Sequence, residues 1–349
     1  MAENTGSVQT QCPALMIGLG GTGKQVLLNF RRMYYERYGS KHPPFVGHIW
    51  IDTDPRNLLL DGREMDFLMK EVDFDEGEKV DVELQKADLQ NFYDHPNDYP
   101  HIFSWFDRRL EKFGHIINGA GGIRSFGRLA FFRYYDVIMK SVREMHGKIG
   151  NVEIHNEALR DQNIILDGSA LDVWLIFSVA GGTGSGMFLD LAFALRDRWP
   201  NVHIRSVIVL PSVFSNNKKE RIYGNGYAAL MELEHYQYGK AETDTQEDLH
   251  RFPLAWTREM YDQSRTQPGP VFDSTYLIDN SPASNAGNLA LEDKNALCRM
   301  IAEWLYIEYG SGADVSGLVA ERRAIEVNFG TVLNRVFPYQ YQHNGLNFT

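Results

Sequence analysis

The chain is poor in cysteine, short of cationic charge and free of long apolar runs. Cys12 and Cys298 are its two cysteines, too few for a disulfide framework or a four-cysteine metal site. Lys and Arg number 35 against 46 Asp and Glu, a formal net charge of −11. No basic block is present, which excludes a general grip on phosphate backbones, and no nucleic-acid partner is expected. A phosphate ligand would have to be held locally, by backbone N–H groups and a few placed side chains. The longest apolar stretch, Val173 to Ala180, falls far short of the ~20 residues of a spanning helix, so no membrane insertion is expected. Met1 to Pro13 is polar and does not read as a secretory signal. The expected location is cytoplasmic.

What is present is core material and glycine. Of 349 residues, 43% are hydrophobic and 31 are Gly. Short apolar runs at 14–19, 46–51, 173–179, 202–210 and 275–279 read as strands. Residues 24–38, 187–198, 224–238 and 291–309 carry helical spacing. Strands alternating with helices predict an α/β, Rossmann-like, mostly parallel sheet with helices on both faces. Ligands of such sheets sit beyond the carboxyl ends of the strands. Two segments break the rhythm: 61–115, charged and aromatic, expected as an inserted helical excursion, and 239–272, a polar insertion or long loop.

Three glycine clusters fall at strand ends. The first is Gly18-Leu-Gly20-Gly21-Thr22-Gly23-Lys24, after a strand and before a helix. Glycine lets the backbone approach closely, and a helix N-terminus offers unpaired N–H groups. The cluster fits the dinucleotide pattern G-x-G-x-x-G, with Asp52 or Asp54 as the later acid. It also fits G-x-x-x-x-G-K, except that Gln25 stands where that loop needs Ser or Thr. A ligand-free turn would look the same. The second cluster, Gly181-Gly182-Thr183-Gly184-Ser185-Gly186, adds two hydroxyl donors, and Gly119-Ala120-Gly121-Gly122 is the third. Dinucleotide folds and P-loops need one such turn, whereas three can surround a polyphosphate. Ser185 is no nucleophile elbow, because its glycines are out of register. One of Arg124, Arg128 and Arg133 could reach a terminal phosphate, but as a group they read better as a solvated helix face with acidic neighbours. His95 and His101 lack the companions of a zinc site.

Gly-Gly-Thr-Gly-Ser-Gly at 181–186 closely resembles the signature loop of the tubulin/FtsZ superfamily. GLGGTG is similar to that family's first phosphate loop, IDTDP at 51–55 to its second, and GAGGIRSFGR at 119–128 to its third. LPSVF at 210–214 resembles the ribose-side loop, and TYLIDN at 275–280 the strand whose final Asn reads guanine. The likeness covers roughly 14–310 and lies nearest the divergent bacterial tubulin-like proteins. It implies a GTP/GDP-binding domain over 1–290, a central helix at 291–310, and the start of an incomplete C-terminal domain at 311–349.

The resemblance also implies site residues. Gly20, Gly21, Thr22, Gly23, Ala120, Gly121, Gly122, Gly181, Gly182, Thr183, Gly184 and Ser185 would hold phosphates. Asn280 and Asn295 would read the base, since Asn carries both donor and acceptor, with Gln25 and Glu220 as further base or ribose contacts. Leu291 replaces the family's stacking aromatic. Asp52 and Asp54 would hold Mg²⁺ through water. The implied activity is hydrolysis of GTP to GDP and phosphate, completed between subunits of a filament or oligomer, with Asp314 or Glu321 as the acid acting in trans. No clear acidic motif follows the central helix. A non-hydrolysing GTP/GDP switch that recruits a protein partner therefore remains open, as does, on the first loop alone, an NAD(P)-linked oxidoreductase.

Overall fold

The computed structural model describes residues 9–54, 56, 70–113, 119–166, 171–214, 219–237, 251–279, 294–310 and 346–348. Its centre is a sheet of parallel strands: β1 (Ala14–Leu19), β2 (Val46–Asp52), β3 (Lys79–Asp81), β4 (Asp172–Ser178), β5 (His203–Val209), β6 (Ser274–Ile278) and β7 (Leu346–Phe348). They lie in the order β7-β6-β5-β4-β1-β2-β3. The order reverses between β1 and β4, which creates a crevice at their carboxyl ends. β1, β2 and β4 are buried along their whole length, as their near-continuous apolar sequences require.

Alternation along each strand sends its side chains into two cores. Leu15, Ile17, Leu175 and Phe177 face one layer, which includes α2 (Arg124–Ile149) and α3 (Thr183–Arg198). Met16, Trp50, Trp174 and Ile176 face the other, made of α1 (Gly20–Tyr38) and α5 (Lys294–Tyr309). A further helix, α4 (Lys219–Gln237), follows β5. The expected α/β, Rossmann-like architecture is therefore present. Gly23 brings α1 onto the sheet: a Cβ there would stand 2.4 Å from Gly18 Cα and 2.7 Å from the Ile176 carbonyl oxygen.

The two insertions are more structured than expected. The excursion at 61–115 supplies the edge strand β3 as well as helical turns. Residues 251–268 form an antiparallel pair, Arg251–Pro253 with Thr266–Pro268. Both insertions close on Arg128, which is not on a solvated face. Its Nε donates to Asp190 at 2.9 Å, and its guanidinium lies over Trp105 and Phe252. Trp256 Nε1 donates to the same carboxylate at 3.0 Å. Burial pushes the Asp190 carboxyl up, against the pull of Arg128. Arg124 pairs with Glu232 and Arg133 with Asp88, so all three arginines are engaged by acids.

His48, on β2, is fully buried, and burial together with Arg31 holds its imidazolium well below the usual range near 6.5. The unfolded chain therefore takes up a proton that the folded chain refuses, and stability is lost as pH falls through the ordinary histidine value. Urea midpoints are expected to drop between about pH 7.5 and 5.5, with His48→Leu flattening the decline. An equal decline in the variant would assign the effect elsewhere.

Candidate functional site

At the crevice, a hollow of about 390 Å³ opens over the carboxyl ends of β1, β2 and β4. All three glycine turns reach it. Gly20, Gly21 and Thr22 enter from the first, Ala120, Gly121 and Gly122 from the third, and Gly181, Gly182, Thr183 and Gly184 from the second. A Cβ on Gly20 would lie 3.5 Å from Thr183 Cβ, so these turns touch across some 160 residues of chain.

Hydroxyls knit the rim together. The Ala120 N–H donates to Thr53 Oγ1 at 2.9 Å, and Thr53 Oγ1 lies 2.6 Å from Thr183 Oγ1. Thr183 in turn donates to Asp52 Oδ1 at 3.3 Å, and the Asp54 N–H donates to the same oxygen at 3.2 Å. With Thr183 donating to the carboxylate, the Thr53 hydroxyl donates to Thr183. From α4, Asn225 Nδ2 donates to the carbonyls of Gly122 and Ala180 at 2.9 and 3.0 Å. Gly119, Gly121 and Gly122 adopt φ of 63°, 56° and 73°. Alternating backbone of this kind turns successive N–H groups into an anion-binding concavity.

Charge enters at the rim. Arg56 lines the hollow and clasps Asp54 twice, Nε to Oδ1 at 2.9 Å and Nη2 to Oδ2 at 2.7 Å. That hydrogen-bonded guanidinium keeps the Asp54 carboxyl below its usual range. At the opposite end stand Phe214, following β5, and Lys294, opening α5, with the ammonium 5.7 Å from the ring centroid.

Several expected residues do not line this hollow. Gly23 is spent on helix–sheet contact. Ser185 is fully buried and its hydroxyl donates to the Gly181 carbonyl. Gln25 accepts from Cys298 Sγ at 3.6 Å on α1. Glu220 and Asn295 are exposed on α4 and α5, and Lys294 meets the hollow in place of Asn295. Lys24 turns away, its ammonium 5.0 Å from the Trp50 ring centroid, so the P-loop pattern has no phosphate lysine. Asn280, Asp314 and Glu321 lie outside the described residues.

Thr53, Arg56, Phe214 and Lys294 line the hollow and Asn225 braces its turns, although none is marked as a ligand by the sequence patterns. Thr53 lies inside IDTDP and Phe214 ends LPSVF, the two motifs that carry a signal for these positions. A larger hollow of about 610 Å³, between Lys86 and Lys112, contains no glycine turn. Among the described residues, His42, Asp75 and Glu78 form the one cluster with metal-ligand spacing. Arg31 and Lys41 already pair with its carboxylates. Among the described residues, no helix is long and apolar enough to cross a membrane.

Among solved structures, CetZ from Methanosaeta thermophila aligns with a TM-score of 0.46 and 18% identity, over 92% of this chain and 59% of its own. CetZ2 from Haloferax volcanii, a GTPγS-bound protofilament, gives 0.45 and 14%, over 88% and 62%. CetZ1 from the same organism, a GDP-bound monomer, gives 0.46 and 13%, over 93% and 72%. The chain thus spans about three fifths of the length of the first two. No curated protein sequence matches it. The family model described as tubulin like matches residues 15–342, nearly the whole sequence, and the chain belongs to that tubulin-like family.

Proposed function

We propose that this protein binds a guanine nucleotide in the crevice and hydrolyses GTP when copies associate. The observation that carries the reading is the convergence of three glycine turns on one hollow, locked by the Thr53–Thr183–Asp52 chain of hydroxyls and carboxylate. Such a rim directs backbone N–H groups at one polyphosphate and keeps them preorganised, as phosphoryl transfer requires. Family membership supports guanine as the base.

Asp52 and Asp54 are hard oxygen donors on one strand end, a donor set that suits Mg²⁺ held through water. When bound, that ion would neutralise charge on the terminal phosphates. An NAD(P) reading fits less well. Dinucleotide folds leave the acid after the second strand for the ribose. Here Asp52 accepts from Thr183 and the Asp54 N–H, which ties it to the phosphate-side turns rather than leaving it for a ribose.

The acid completing hydrolysis would come from a second copy, with Asp314 and Glu321 as its candidates. Turnover per chain is then expected to rise with protein concentration, and a rate independent of concentration would contradict this. In a thermal-shift comparison, GTP or GDP is expected to raise the melting temperature while NAD does not; the reverse would overturn the proposal. Thr183→Val removes the hub hydroxyl while keeping its shape, so GDP affinity should fall roughly tenfold, a charged hydrogen bond's worth. Thr183→Ser is expected to hold affinity.

A further inference from the structure

The hollow has two chemically different ends, and the sheet order sets them apart. Phe214 and Lys294 stand at the β5 side, where an aromatic face suits a nucleobase. Thr53, Asp54 and Arg56 stand at the β2 side, beside the positive-φ turn at 119–122. Between them lie the turns after β1 and β4. A nucleotide laid along this row places its last phosphate against the β2 side.

Among the described residues, Arg56 is the cation that lines the hollow at this end, while Arg221, outside the lining, donates to the Gly121 carbonyl at 3.2 Å. The Arg56 side chain is 67% exposed, whereas Asp54 is 20% exposed. It is anchored to the protein side chains by a two-point clasp on one carboxylate. A guanidinium fork matches a phosphate as well as it matches a carboxylate, and a terminal phosphate carries more charge than Asp54. The clasp is therefore an exchangeable contact beside a pocket suited to a competing anion.

We propose that Arg56 is the terminal-phosphate sensor of this protein, leaving Asp54 for the last phosphate of a bound triphosphate and returning to Asp54 when only a diphosphate is present. The inference rests on the nucleotide reading above and adds to it a residue that tells the two nucleotide states apart. The exchange also frees the Asp54 carboxylate in the triphosphate state alone. No bond of the nucleotide is broken in this step, so it proceeds in the absence of hydrolysis.

The test is calorimetric titration of the full chain with GTPγS and with GDP, each in Mg²⁺ and in EDTA. For Arg56→Gln, the affinity for GTPγS is expected to fall roughly 10- to 100-fold, the range for a lost bond between charged groups. GDP affinity should stay within about twofold, because the diphosphate never recruits the side chain. Asp54→Asn loosens the clasp, so GTPγS should bind severalfold tighter in EDTA. Arg56→Lys should recover part of the lost affinity, as a point charge without the fork. Equal loss of both nucleotides in Arg56→Gln would overturn the sensor and reduce Arg56 to bulk charge, while leaving nucleotide binding intact. Unchanged GTPγS affinity would overturn it as well. Failure of the unmodified chain to bind either nucleotide would instead sink the nucleotide reading, and the sensor with it.

Discussion

Gly182→Val is expected to abolish nucleotide binding while leaving the fold in place. A Cβ at 182 would stand 2.7 Å from Ala120 Cβ and 2.9 Å from the Ile123 nitrogen, and real side-chain carbons do not sit that close. Retreat toward α2 is blocked, because Gly127 already abuts the Gly182 carbonyl so tightly that a Cβ there would lie 2.1 Å from that oxygen. The loop has one direction left, outward into the hollow it lines. That movement separates the second glycine turn from the third and pulls Thr183 off Thr53. Displacing a preorganised site by about 1 Å costs on the order of 100-fold, and a loss of at least that size is expected for GDP. The strands beneath are untouched, so far-UV circular dichroism should not change. Gly147→Ala, at an exposed position of α2 with nothing within 4 Å of its Cβ position, is the matched control and should bind normally. Undiminished GDP binding by Gly182→Val would mean that the contact between the turns does not shape the site.

The second large effect lies at the opposite end of the sheet. Asp172 opens β4 fully buried, and Arg205 of β5, 2% exposed, pairs with it. Tyr309, near the end of α5, donates to the other carboxylate oxygen at 2.7 Å, and Trp174 Nε1 donates to the Tyr309 hydroxyl at 3.0 Å. Asp172→Ala removes the carboxylate paired with a buried guanidinium and takes away the acceptor of the Tyr309 hydroxyl. Breaking a buried pair on one side costs about 3–5 kcal/mol, a large part of the stability of an ordinary domain. Urea unfolding should show the loss as a lowered midpoint. Replacing Asp172 and Arg205 together by apolar residues of similar volume should cost far less than the single change. If the single variant is as stable as the parent, the network does not tie α5 to the sheet.

The strands and the glycine turns were legible because each is a local pattern. Leu15, Ile17 and Leu19 alternate with Ala14 and Met16, and GLGGTG and GGTGSG announce strand–helix turns by composition alone. Boundaries moved where glycine disguised helix: α3 begins at Thr183, although 184 and 186 are glycines that lower helical propensity. The edge strand β3 was hidden inside a charged excursion because three residues are too few to show a period. The site's cross-links were illegible for a different reason. Thr53 meets Ala120 and Thr183 across 67 and 130 residues, separations that no periodicity encodes. Ser185 looked like a ligand hydroxyl and instead bonds its own loop, as helix-terminal serines readily do. Lys294 displaced its neighbour Asn295 from the hollow because adjacent helical residues point about 100° apart.

One nucleotide in one hollow is the central claim, and its most direct measurement is the identity of the nucleotide carried by the purified protein. Heat or acid denaturation followed by ion-exchange chromatography should release GDP or GTP, and Gly182→Val prepared in parallel should release neither. Recovery of NAD or NADP instead, retained by the parent chain, would contradict it.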